Sequence, residues 1–358
     1  MVNMACLLQI IDDMTPLALN KNLIFHWRSA LAVFFLSLPM LLCAEPAPVD
    51  NAFESQTNRQ TGDNIGDNTS DNAGDNNKAD APYLSATELK NHLKASNLHL
   101  RSSAVLVMDE RDNVALFERH ANIQRPIASI TKLMSAMVVL DAKLPMDEAI
   151  TITKDDRDKL RRSRSRLRYG TTLSRADMLL MALAASENRA ANALGRTYPG
   201  GAKAFVNAMN AKAKALGLTK THFKDPAGLH EKNVSTAQEL AVLIDAAYQY
   251  PLIREMTTTD RSMLFDPHSG RAVAFINTNR LVRNDDWDIG LSKTGFISEA
   301  GFCLVMRATV ATRPVTIVLL NSWGKLSKYG DANRIKTWLI QTEQKVLKLK
   351  NNLAVNSL

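Results

Sequence analysis

The alternation of apolar and polar positions changes character twice along the chain. An apolar run from Ala30 to Cys43 stands behind Lys21, His26 and Arg28 and gives way to polar residues after Ala44, the layout of a secretory signal peptide. The run is short for a membrane span of about 20 apolar residues, and Pro39 interrupts it. Residues 1–44 are therefore expected to be cleaved, after Ala44, and the mature chain to be exported. Residues 45–82 show no apolar period. They are rich in Asn, Asp and Gly and repeat Gly62-Asp63-Asn64, Gly66-Asp67-Asn68, Ser70-Asp71-Asn72 and Gly74-Asp75-Asn76. Such a segment has no core to bury and reads as a disordered acidic linker. The spaced Asp and Asn lack the calcium-loop pattern that ends in Glu.

From Tyr83 onward the pattern is that of a globular domain. Ala104 to Met108 and Val114 to Phe117, separated by Glu110-Arg111-Asp112-Asn113, predict a β-hairpin. Helical patterns follow at Ile130 to Leu144, at Ala176 to Ala185, which is apolar almost all round, and at Ala202 to Leu216 and Thr236 to Tyr248, which are amphipathic. Strands return at Phe302 to Val310 and Val315 to Leu320, and Asp331 to Leu349 predicts a closing helix. Strands at both ends with helices between them predict an α+β fold: one antiparallel β-sheet flanked by helices, with an inserted helical subdomain. The expected division is a domain at 83–345 and a C-terminal tail at 346–358. In that tail region Val346, Leu347, Leu349 and Leu353 are expected to pack on the sheet or, at most, to make a loose membrane contact.

Charge sharpens the picture by segment. The whole chain of 358 residues has a net charge of +8, whereas residues 83–358 hold 40 Lys and Arg against 26 Asp and Glu, a net of +14. A basic domain implies a polyanionic partner: nucleic acid, an anionic membrane face or an acidic wall polymer. Arg157, Lys159, Arg161, Arg162, Arg164, Arg166 and Arg168 are the densest cluster. The readings open for it are a nucleic-acid patch, a basic rim beside a cleft and a plain solvated loop. No aromatic interleaving supports the first, and export argues against it. Of three cysteines, Cys6 and Cys43 lie in the signal segment, leaving Cys303 alone in an apolar stretch. That excludes an intramolecular disulfide and favours a buried small hydrophobe over a nucleophile. His92, His99, His120, His222, His230 and His268 show no His-Glu-x-x-His spacing, so a zinc peptidase is disfavoured.

Three short motifs carry the candidate chemistry. Ser129-Ile130-Thr131-Lys132 stands at the head of the first long helix, and the i, i+3 spacing puts hydroxyl and amine on one face. A lysine accepts a proton only when neutral; its ordinary pKa is about 10.4, and burial lowers it by up to about 3–5 units. This is the Ser-Lys form of an activated nucleophile. Ser322-Trp323-Gly324-Lys325 fits the same spacing but leaves a strand for a turn. Ser186-Glu187-Asn188 ends the buried Ala176 to Ala185 helix, where rigid packing holds a hydroxyl and a carboxamide toward a cleft; Ser70-Asp71-Asn72 mimics it within the linker. Lys293-Thr294-Gly295 is expected on a strand, with the ammonium and hydroxyl suited to a carboxylate and the glycine to close backbone approach.

Ser-x-x-Lys, Ser-x-Asn and Lys-Thr-Gly in this order, at intervals of 57 and 107 residues, resemble the motif set of penicillin-binding proteins and serine β-lactamases. The wording of Pro126 to Met134, Ser163 to Gly170, Ser186 to Ala191, Phe223 to Leu229 and Lys293 to Phe296 with Glu299-Ala300-Gly301 is similar to the D-alanyl-D-alanine endopeptidase branch of the low-molecular-mass penicillin-binding proteins, over roughly residues 98–345. That resemblance implies a β-lactamase/transpeptidase-like fold and a serine peptidase of the S11 type, needing no cofactor or metal. It implies Ser129 as nucleophile, Lys132 as proton acceptor and Ser186 as proton relay to the leaving amine. It further implies Asn188 on the acyl side of the substrate, and Lys293, Thr294 and the Gly295 strand edge on the carboxylate beyond the scissile bond. The amides of Ser129 and Phe296 would form the oxyanion hole. The implied partners are peptidoglycan stem peptides and cross-links, with β-lactams as covalent inhibitors and no nucleic acid. The implied place is the periplasm, in cell-wall biogenesis and cell shape.

The motifs do not separate an endopeptidase, which cuts the D-alanyl–diaminopimelate cross-link, from a carboxypeptidase, which removes a terminal D-alanine. The classical carboxypeptidases continue for about another domain, whereas some 13 residues follow Lys345 here. Length and motif wording both point to the endopeptidase. No Glu-x-x-x-Asn lies between Asn188 and Lys293, which disfavours a class A β-lactamase.

Overall fold

The structure, a computed structural model, describes residues 84–356; the expected signal peptide (1–44) and the linker (45–82) lie outside the described residues. Helix α1 (Ala86–His92) leads into the hairpin β1 (Ser102–Asp109) and β2 (Val114–Arg119). A two-residue strand β3 (Arg125–Pro126) and a 3-10 turn, Ala128–Ile130, precede helix α2 (Thr131–Asp141). The helical part continues through strands β4 (Ala149–Thr151) and β5 (Thr172–Ser174), helices α3 (Arg175–Leu183), α4 (Asn188–Arg196) and α5 (Gly201–Ala215), strand β6 (Val234–Ser235), and helices α6 (Ala237–Tyr248) and α7 (Pro251–Thr258). A small hairpin, β7 (Arg261–Phe265) and β8 (Ala272–Ile276), is followed by β9 (Asp288–Ile297), β10 (Gly301–Val310), β11 (Arg313–Ser322) and helix α8 (Ser327–Asn356).

Strands from both ends of the domain join in one five-stranded antiparallel sheet of order β2-β1-β11-β10-β9. This is the predicted α+β architecture with its helical insert. Side chains alternate across a strand, and the register converts that alternation into two cores. Val105, Leu319 and Leu304 are cross-strand partners and face α1 and α8. Leu106, Val318 and Val305 are partners one residue out of phase and face the helical part. All six are essentially buried, each contributing about 1.5–3 kcal/mol relative to exposure. Lys293 pairs with Val305, so the same alternation turns its side chain toward the helices.

Helix α8 starts before the predicted Asp331 and runs unbroken through residue 345, where a tail had been expected. Val346 is buried in the outer core, while Leu349 and Leu353 are exposed. Its first turns are anchored by buried Asp331, whose carboxylate accepts from the Arg101 amide at 3.0 Å and the Ser102 amide at 2.7 Å. No helix among the described residues is long and apolar enough to cross a membrane.

Helix α4, helix α7 and the β7–β8 hairpin were not legible in the pattern. In α4 the last turn contains Gly195, a poor helix former, which is retained because a Cβ there would meet the Pro226 ring at 2.7 Å. In the hairpin, Met263, Phe265 and Ile276 point outward, against the usual sense of alternation.

Candidate active site

Ser129 is reached through a strained turn. Ala128 sits at φ 49°, a left-handed conformation costly for any residue but glycine. Ser129 therefore lies in the 3-10 turn Ala128–Ile130 and not in the helix proper; Lys132, in the first turn of α2, is three residues on and buried. The turn is wedged by the loop after α5. Gly228 has φ +78°, and a Cβ there would fall 2.0 Å from the Ala128 carbonyl oxygen. On the other side a Cβ at Gly295 would lie 2.9 Å from the Ile127 carbonyl oxygen and 3.2 Å from the Ser129 amide nitrogen. Glycine is thus required where β9 passes the serine.

The Lys132 amine is 2.9 Å from Ser129 Oγ, 2.7 Å from Asn188 Oδ1 and 2.6 Å from the Ala227 carbonyl oxygen. As an ammonium it donates to all three. As an amine it keeps two N–H groups for Asn188 and Ala227, and its lone pair is left for the Ser129 hydroxyl. Burial pushes this amine down to about 7, against the negative charges of Asp225, Glu187 and Asp158. The group is therefore poised between its two forms near neutral pH.

Ser186 stands at φ 57°, between the end of α3 and the start of α4, and its Oγ accepts from Lys293 Nζ at 2.9 Å. The Lys293 amine is also buried, and desolvation first, then the charge of Lys132, holds it well below the usual lysine range. An incoming carboxylate would favour its ammonium form. Thr294, on the opposite face of β9, donates to Thr278 Oγ1 at 2.8 Å. Phe296 is half exposed and stacks on Phe302 at 4.3 Å between centroids. The fold thus gathers Ser129, Lys132, Ser186, Asn188 and Lys293 into one hydrogen-bonded cluster, with Thr294, Gly295 and Phe296 along the adjoining strand. Ser322, the rival serine, is buried elsewhere, its Oγ 2.6 Å from Ser102 Oγ.

Several supporting groups had no individual role in the sequence reading. Asp225 holds the Ala227 loop: its carboxylate accepts from the amides of Ala227, Gly228, Leu229 and His230 at 2.7–3.1 Å and from Asn233 Nδ2 at 2.6 Å. Ser163 Oγ accepts from Asn188 Nδ2 at 2.9 Å and so fixes which carboxamide atom faces Lys132. Arg161 ties three walls together, donating to the Leu229 carbonyl at 2.5 Å and to Ser298 Oγ at 3.3 Å, and pairing with Glu299 at 2.8 Å. Ser163 and Asp225 fall within the family-like stretches Ser163 to Gly170 and Phe223 to Leu229, and Asp225-Pro226-Ala227-Gly228 is also a turn signature, but neither signal names the hydrogen bonds they make.

Residues 91–324 match the family model described as Peptidase S11, D-alanyl-D-alanine carboxypeptidase. The chain belongs to the peptidase S11 family. This S11 chain is a serine-type D-alanyl-D-alanine peptidase, a hydrolase, as its motifs implied. It is 48% identical over 240 residues to the D-alanyl-D-alanine endopeptidase of Pseudomonas aeruginosa, covering 67% of this chain and 77% of that protein. Its fold is similar to the Streptomyces K15 DD-transpeptidase, at TM-score 0.62 and 26% identity over 68% of this chain and 98% of the other. It is also similar to penicillin-binding protein D2 of Listeria monocytogenes in its cefotaxime-bound form, at TM-score 0.59 and 28% identity over 68% and 98% of the two chains.

Proposed function

We propose that this S11 peptidase hydrolyses the D-alanyl–diaminopimelate cross-links of peptidoglycan through an acyl-enzyme on Ser129. The observation that carries the reading is the buried Lys132 amine, brought to about 7 and 2.9 Å from Ser129 Oγ. The neutral amine takes the hydroxyl proton as Oγ attacks the D-alanyl carbonyl carbon. The developing oxyanion is held by the amides of Ser129 and Phe296, a role supported by the close approach of β9 to the Ser129 amide. Ser186, hydrogen-bonded to Lys293, gives its hydroxyl proton to the departing diaminopimelate nitrogen as the C–N bond breaks, and the proton taken up by Lys132 makes good the loss, so that the net transfer is from Ser129 to the leaving amine. Water then attacks the ester and returns the serine. Asn188 orients the acyl stem. Lys293, Thr294 and the edge at Gly295 hold the carboxylate beside the leaving nitrogen.

The Pseudomonas relative's name supports the endopeptidase; the family description equally fits removal of a terminal D-alanine, which is the second reading. β-Lactams are read as substrate mimics that acylate Ser129, supported by the cefotaxime-bound relative. The Lys21 to Ala44 pattern supports export, and the periplasm is the proposed site of action. Mass spectrometry of products from cross-linked muropeptide dimers and pentapeptide monomers tests the proposal. Monomers released from dimers are expected; loss of D-alanine from pentapeptides with intact dimers would make the protein a carboxypeptidase.

A further inference from the structure

The segment 157–168 forms the wall of the site on the Asn188 side. Ser163 accepts the Asn188 carboxamide at 2.9 Å, and the Arg166 amide donates to Glu187 Oε2 at 3.2 Å. Arg162, Arg164 and Arg166 therefore lie within three residues of the contact that orients Asn188. All three are exposed, as are Arg157, Lys159 and Arg168. Among the described residues none of these six cations has a carboxylate partner within 4 Å. Two of the three acids of this loop are turned inward, and Asp155, which is exposed, makes no ion pair with any of the six. Buried Asp158 accepts the amides of Leu160, Arg161 and Ser163, and buried Asp156 is held by Arg196 at 2.8 Å. Arg161, by contrast, is used internally on Glu299.

The fold thus uses Asp156 and Asp158 to hold the wall and leaves Arg162, Arg164 and Arg166 exposed and without a carboxylate partner beside the Asn188 contact. Guanidinium forks bind carboxylates bidentately, and a one-sign rim draws oppositely charged ligands over about a Debye length, roughly 10 Å. We propose that Arg162, Arg164 and Arg166 form a subsite for the free carboxylates of the acyl-donor stem, making the enzyme selective for acidic over amidated stem peptides. This rests on the peptidase reading and adds the substrate class.

The test compares a cross-linked muropeptide dimer with the same dimer amidated on its donor stem only, at about 20 and about 200 mM salt. Wild type is expected to cleave the acidic dimer with kcat/KM about tenfold or more above the amidated one at low salt, within the range of electrostatic steering, the advantage shrinking at high salt. The triple variant Arg162→Gln/Arg164→Gln/Arg166→Gln is expected to bring the ratio to about one and flatten its salt dependence. An equal ratio in wild type and variant, or no preference in wild type, overturns the subsite. So does tighter binding of a DNA oligonucleotide than of the acidic dimer. Penicillin labelling verifies folding, and Arg164→Gln alone replaces a triple variant that does not label. If wild type labels with penicillin but cleaves neither dimer, the endopeptidase reading fails. The subsite is then judged by equilibrium binding of the two dimers to wild type and variant, with the same ratios expected or refuted.

Discussion

If Lys132 takes the Ser129 proton, acylation by a penicillin must follow the fraction of neutral amine. A lysine of ordinary pKa near 10.4 is neutral in about one molecule in 2,500 at pH 7. With the amine at about 7, about half are neutral at pH 7 and about one in 100 at pH 5. The second-order rate of labelling by a fluorescent penicillin, measured by quench-flow and gel fluorescence, is therefore expected to fall about tenfold per pH unit below 7 and to level off above 8. Lys132→Arg, whose guanidinium stays charged, should cost about 10²–10⁴-fold at every pH. Unfolding through this group cannot imitate the profile. Between about 7 and 10.5 the unfolded chain binds more protons at Lys132 than the folded one, so its contribution to stability rises with pH in that window and is flat below it. A rate constant across pH 5–9, or an inflection near 10, would refute the assignment.

Gly228→Ala should lower the melting temperature and abolish labelling together, because φ +78° and a Cβ 2.0 Å from the Ala128 carbonyl force the serine turn to move; the strain alone is about 1–3 kcal/mol. Normal labelling in that variant would show that the loop does not set the turn. Cys303 is buried, and its thiol is pushed up to about 11, so iodoacetamide at pH 8, followed by peptide mapping, should leave Cys303 unmodified in the native protein and alkylate it in denaturant. Rapid native modification would place the cysteine at an accessible surface.

The sheet and the long helices were legible because segments buried on every side stay apolar throughout, as in Leu304 to Met306 and Leu133 to Val139, and because a helix with one exposed face keeps its period, as in Ala237–Tyr248. The three motifs were legible because their spacing carries chemistry: i, i+3 for Ser129 and Lys132, and strand alternation for Lys293 and Thr294. The supporting shell was not. Asp225, Ser163 and Arg161 act through hydrogen bonds between loops distant in sequence, and no periodicity records those pairings. The same holds for the Ala227 carbonyl on Lys132, a backbone group with no residue identity to read. The spacing of Ser322 and Lys325 equals that of Ser129 and Lys132; sequence context already sets them apart, since Ser322 leaves a strand for a turn, and the fold adds the physical separation by burying Ser322 against Ser102.

That separation gives the most direct test of the central claim. Intact-protein mass spectrometry after benzylpenicillin treatment, with peptide mapping, is expected to find one covalent adduct on Ser129, retained in Ser322→Ala and absent from Ser129→Ala. An adduct that persists in Ser129→Ala, or one lost in Ser322→Ala while the protein remains folded, would contradict it.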